Sequence, residues 1–150
     1  MATPQLILVL QTSVAPCVII SGVGLLVLSM TNRFGRPIDR IRLLAVELEK
    51  TPENEREPIK EQIKLLYRRA MLLQRAIIFS VFSIFLVATV ILSLFLDSLL
   101  GLGLEMAIEL LFAGSVVCVV VGLVFFLMDI GLTLDSVKIE IKRHGIDVKQ

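Results

Sequence analysis

The chain has no Trp, one His, one Tyr and two Cys among its 150 residues. One imidazole and two thiols are too few for a His/Cys metal cluster or a disulfide framework. None of the HExxH, CxxC, GxGxxG or P-loop patterns occurs, and no nucleophile stands beside a plausible base, so the sequence offers no catalytic constellation and no cofactor site. An excess of charge of one sign is also lacking. The formal net charge is +1, which removes the electrostatic footprint a nucleic-acid partner requires. Charge is absent altogether from residues 1–30.

What is abundant is apolar surface. Hydrophobic residues make up 56% of the chain and charged ones 19%, with mean hydropathy +0.88, against about 45–50% and about 25% in soluble domains. A small chain has too much surface to hide that excess from water. Three uncharged runs, 6–30, 76–96 and 110–128, each match the roughly 17–25 residues that carry a helix across a bilayer. The expectation is an all-α membrane protein with three transmembrane helices.

The remaining charges give it an orientation. Residues 31–75 hold eleven Lys and Arg against seven Asp and Glu, and the tail from 129 to 150 holds four of each, whereas the only charges between Ala76 and Met128 are Asp97, Glu105 and Glu109. Basic loops stay in the cytoplasm, so the N-terminus and the 97–109 loop are expected outside, the 31–75 loop and the C-terminus inside. The first run lacks a basic n-region and exceeds a signal's apolar core, so it is read as a span of the mature protein.

The inner loop has helical periodicity. Ile38, Ile41, Ala45 and Leu48, then Ile59, Ile63, Leu66, Ala70 and Leu73, recur at spacings of three and four, as in coiled-coil seams. Pro52 lies in the polar stretch between them and Pro58 suits a first helical turn. A cytoplasmic antiparallel helical hairpin, about 38–75, follows. Gly35 and Pro37 predict a bend between the first span and this hairpin. The second helix is expected to run unbroken from about Pro58 to Leu96, and Leu134, Val137 and Ile141 suggest a short amphipathic helix in the tail, ended by Gly145.

Polar and small residues at membrane depth are the main functional candidates. Pro16 frees the carbonyl of Thr12 from its helical hydrogen bond, so the turn holding Gln11, Thr12 and Ser13 should face protein or water. Ser13, Cys17, Ser21 and Gly24 continue that stripe. It reads either as a packing seam that lets helices approach closely or as the lining of a pore in an oligomer. Gly114, Cys118 and Gly122 form a second ladder, and Ser80 and Ser83 share a face near Phe79, Phe82 and Phe85. Cys17 and Cys118 are expected at similar depths as small packing residues.

At the outer side, Asp97, Glu105 and Glu109 read as a solvated acidic loop or, in a ring of subunits, as a cation-concentrating mouth. At the inner side, Arg33, Arg36 and Arg40 share a helical face suited to anionic lipid. Asp39 is placed to pair with Arg42 or with Arg68 or Arg69 of the next helix, and the lone His144 reads as a solvated tail residue.

The segments Thr12–Pro16, Ile20–Leu26 and above all Thr31-Asn32-Arg33-Phe34-Gly35-Arg36-Pro37-Ile38-Asp39-Arg40-Ile41-Arg42 resemble a bacterial family of small multi-span membrane proteins known only as a domain of unknown function. The likeness runs from about Gln5 to Asp135 and includes Leu66–Ala70. It implies bacterial origin and inner-membrane residence, emphasises Asn32, Arg33, Asp39 and Arg40, and transfers no activity. The expectation is therefore a non-enzymatic inner-membrane protein without cofactor that associates with itself, with the bilayer and with other membrane proteins as a scaffold, assembly factor or accessory subunit. The alternative is a small homo-oligomeric ion channel lined by the first span.

Overall fold

A computed structural model describes the backbone of residues 4–101 and 103–143, and the side chains of 7, 11 and 13–133 apart from 102. Three helices account for nearly all of it: α1, Pro4–Lys50; α2, Arg56–Leu100; and α3, Glu105–Arg143. No strand occurs among the described residues. Each helix contains a stretch long and apolar enough to cross a membrane.

Both joints are short, so successive helices must fold back on one another. Between α1 and α2 the chain makes one 3-10 turn, Glu53–Glu55, which begins after Pro52. The Thr51 carbonyl accepts a hydrogen bond from Arg56 Nε at 2.8 Å. At the other end α2 stops at Gly101, whose φ of 60° is the left-handed value that only glycine adopts at no cost. Its N–H donates to the Asp97 carbonyl at 2.8 Å. Helix α2 is the centre, with α1 and α3 packed along it.

The bend foreseen at Gly35 and Pro37 falls within one continuous helix, since α1 runs through Pro16 and Pro37 to Lys50. A proline inside a helix removes one backbone hydrogen bond. Both prolines are buried, so packing along the length of α1 holds the turns that local bonding weakens. The expected α2 helix is present and extends a little beyond both predicted ends. The third span and the first part of the tail are one helix, α3, through Arg143. Gly145 and His144 lie outside the described residues, as do the side chains of Leu134, Val137 and Ile141.

Burial follows a seven-residue period. In α1 the buried positions are Pro16, Val23, Met30, Pro37 and Leu44. In α2 they include Leu73, Ala76, Ser80, Ser83, Val87 and Val90, spaced alternately three and four apart, and in α3 they are Ser115, Gly122 and Asp129. The seam in the second half of α1 thus sits one position from where it was expected. Leu44 is buried whereas Ala45 is exposed, and Ile38, Ile41 and Leu48 are half-buried flanks. In α2 the foreseen residues grade from half-buried Ile59, Ile63 and Leu66 to buried Ala70 and Leu73.

Candidate functional site

Among the described residues, all three helices meet at Ser80 of α2. Met30 of α1 is completely buried, and the Ser80 hydroxyl of α2 lies 4.0 Å from its sulfur. Against the other side of Ser80 stands Gly122 of α3. A Cβ added there would come within 2.8 Å of Ser80 Oγ and 3.1 Å of the Ala76 carbonyl oxygen. Glycine is thus required by close backbone approach. Gly114, in the same expected ladder, is looser, with Leu86 Cδ1 at 3.8 Å from such a Cβ, while Cys118 is half-buried. Buried Ser115 donates to the Phe112 carbonyl at 2.7 Å, and buried Ser83 has no hydrogen-bond partner among the described residues.

Two turns along α3 from Gly122, the same stripe presents a carboxylate. Asp129 is 1% exposed, and Arg69 Nε of α2 lies 3.4 Å from its Oδ1. That distance is long for a hydrogen bond but close for an ion pair. Removing a charge from water costs several kcal/mol unless a partner offsets it, so Arg69, itself mostly buried, is the group that makes this position tolerable. The sequence reading placed Asp129 at the start of a solvated tail and offered Arg69 to Asp39. Instead Arg69 pairs with Asp129, and Asp39 is exposed with no ion pair among the described residues. The signal was present in the seven-residue spacing of Ser115, Gly122 and Asp129.

Other arginines gather at the same level. The Arg33 guanidinium lies 5.4 Å from the centre of the Phe126 ring, and that of Arg75 lies 5.9 Å from Phe125, distances at which cation and ring attract. Phe125 also stacks on Phe79 at 5.8 Å. Asn32, Arg36, Arg40 and Arg42 are exposed. On the adjoining side of α2 an open groove of about 710 Å³ is lined in part by Lys64, Arg68, Arg75 and Phe125.

The polar stripe of α1 divides. Pro16 is buried and Ser13 and Gly24 are half-buried, but Gln11, Cys17 and Ser21 are exposed. The Thr12 side chain lies outside the described residues. Ser13, Val14, Cys17, Val18 and Ser21 border a shallow, open depression of the helix surface. Ser21 donates to the Cys17 carbonyl at 3.1 Å, within its own helix. Both cysteines are free thiols. They do not share a depth. With Met30 and Gly122 each beside Ser80, a rise of 1.5 Å per residue puts Cys17 roughly 13 Å farther along the bundle than Cys118.

At the far end Asp97 is engaged locally. Its Oδ1 accepts the Leu104 N–H at 3.0 Å, at the start of α3, while Glu105 and Glu109 are exposed. Among the described residues no group of three His, Cys, Asp or Glu side chains is arranged to hold a metal ion.

Over residues 13–139 the chain matches the model of the DUF2721 family, proteins of unknown function, and it belongs to that family. Neither the curated proteins nor the solved structures contain a match to it.

Proposed function

We propose that this protein is a non-enzymatic, homo-oligomeric scaffold or accessory subunit of the bacterial inner membrane, its N-terminus outside and its 51–55 turn in the cytoplasm. The charge distribution supports the orientation. The observation that carries self-association is the face of α1 holding Cys17 and Ser21, which the helix turns away from α2. In the most apolar windows of the three spans only 17%, 22% and 11% of residues are buried within one chain. Small side chains on an outward helix face permit close backbone approach by another helix. The antiparallel seams of α1 and α2 below the membrane make a coiled-coil-like stalk that can add to such contacts.

Two contacts favour the scaffold over the channel. Ser21 satisfies its hydroxyl within its own helix, which suits packing better than water contact, and Asp97 serves the loop instead of an ion path. The test uses the native thiols. Mild oxidation of native membranes is expected to give a dimer through Cys17 that disappears in Cys17→Ala and persists in Cys118→Ala. Mass measurement in detergent should give a defined multiple of 16.6 kDa. A clean monomer, with no cross-link, overturns the proposal.

A further inference from the structure

We propose that the groove between α2 and α3 binds an anionic phospholipid. The inference rests on the chain spanning a membrane with this end of α2 at its surface. It does not depend on the number of subunits. Lys64, Arg68 and Arg75 line the groove at successive spacings of four and seven residues, which keeps them on one helix face. None of the three has an ion pair among the described residues, whereas neighbouring Arg69 has Asp129 and Lys60 has Glu57. The opposing charge in the groove is one carboxylate, Glu61. Three cations against one anion leave an uncompensated positive site.

The depth of each group selects the kind of anion. Arg75 immediately precedes the uncharged run that begins at Ala76, so it stands at the edge of the hydrocarbon layer. Arg68 is about 10 Å farther out along the helix, beyond a polar interfacial layer of roughly 5–7 Å per leaflet. A phosphate between them is within reach of both long side chains. Tyr67, which is exposed, adds a hydroxyl at the same level. Beside and between the cations the groove is apolar, lined by Met71 and Leu72 of α2 and by Phe125 and Met128 of α3. The Arg75 guanidinium lies over the Phe125 ring at 5.9 Å. Cations along one wall and an apolar surface beside them that continues into the uncharged runs of both helices match an amphiphile: a soluble anion has no use for the apolar surface, and a zwitterionic lipid carries a cation of its own to the arginines. Arg36 and Arg40 are cationic too, but they lie exposed on α1 outside this groove, and so serve as a control for charge alone.

The test is native mass spectrometry of the full chain in detergent, titrated with cardiolipin or with phosphatidylcholine. A basic side chain at a membrane surface contributes about fivefold to anionic-lipid affinity, so Arg68→Gln with Arg75→Gln should weaken cardiolipin retention roughly 25-fold. Phosphatidylcholine retention should be unchanged, and Arg36→Gln with Arg40→Gln, which removes general surface attraction from α1 but leaves the groove intact, should weaken cardiolipin retention several-fold less than the Arg68/Arg75 variant. Equal retention by the parent and the Arg68/Arg75 variant overturns the proposal, as does an equal loss in the Arg36/Arg40 variant. Inorganic phosphate that displaces cardiolipin at millimolar concentration would assign the site to a free anion and also overturn it. Monomeric protein that still binds cardiolipin selectively would sink the oligomer and leave this site standing.

Discussion

Replacing Gly122 and Gly114 by alanine, one at a time, should have opposite effects, although both glycines lie in one apolar helix and gain the same methyl group. Exchange of a helical glycine for alanine removes backbone freedom from the unfolded chain and is worth about 0.5–1 kcal/mol. At Gly114 the new methyl meets only Leu86 Cδ1 at 3.8 Å, an ordinary contact, so that gain survives. At Gly122 it would stand 2.8 Å from Ser80 Oγ and 3.1 Å from the Ala76 carbonyl oxygen. The hydroxyl can rotate, but the carbonyl belongs to the backbone of α2 and yields only if the helices separate. Overpacking of that kind costs about 1–3 kcal/mol. Because the propensity gain is common to both variants, the difference between them isolates the packing cost. Thermal unfolding in detergent should place Gly122→Ala several degrees below Gly114→Ala, at about 2–4 °C per kcal/mol for a chain of this size. Equal midpoints would refute a close α2–α3 approach at Gly122.

Arg69→Met leaves the Asp129 carboxylate buried without its partner and should cost about 3 kcal/mol, the lower part of the range for broken buried pairs because Arg69 is 21% exposed. Arg69→Met with Asp129→Leu should recover most of that in the same thermal assay, and a double variant no better than the single one would remove the pair from the account. Asp97→Ala should cost about 1 kcal/mol through loss of the acceptor for the Leu104 N–H, and Asp97→Asn much less. Were Asp97→Ala to leave the midpoint unchanged, the carboxylate would have no part in forming the 97–105 turn.

The gross fold was legible because charge in a membrane protein is confined to where water is. The gaps between charges marked the three apolar stretches, and the spacing of apolar residues in 38–48 and 59–73 marked the helical continuation of α1 and α2 beyond them. The orientation of each helix within the spans was not legible. A segment that is hydrophobic all round has no apolar stripe from which to read a buried face. The structure buries Ser80, Ser83, Ser115 and Gly122 while leaving Val18, Leu25, Phe85 and Val117 exposed, the reverse of the order that hydropathy would suggest. Pro37 is a related case: it stands on the buried face of α1, and packing into the interior keeps the helix continuous through it.

The position of Asp129 then acquires a physical rationale. Lipid tails are as apolar as leucine, so sliding α3 along α2 by one turn changes apolar contact area little and is weakly opposed. Two features oppose it strongly. Gly122 admits the Ala76–Ser80 backbone at one position only, since its helical neighbours carry side chains. Asp129, seven residues on, meets Arg69 at the matching level of α2. A slip of one turn in either direction would bring a side chain against the Ala76 carbonyl and carry the carboxylate about 5 Å from its guanidinium, leaving a buried charge without its partner. A buried ion pair adds little net stability when compared with a well-packed apolar alternative, but its energy changes steeply with register, which that of apolar packing in lipid does not. The glycine notch and the ion pair therefore specify which residues of α3 face α2, and with them the alignment of Arg75 against Phe125 from which the lipid groove is built.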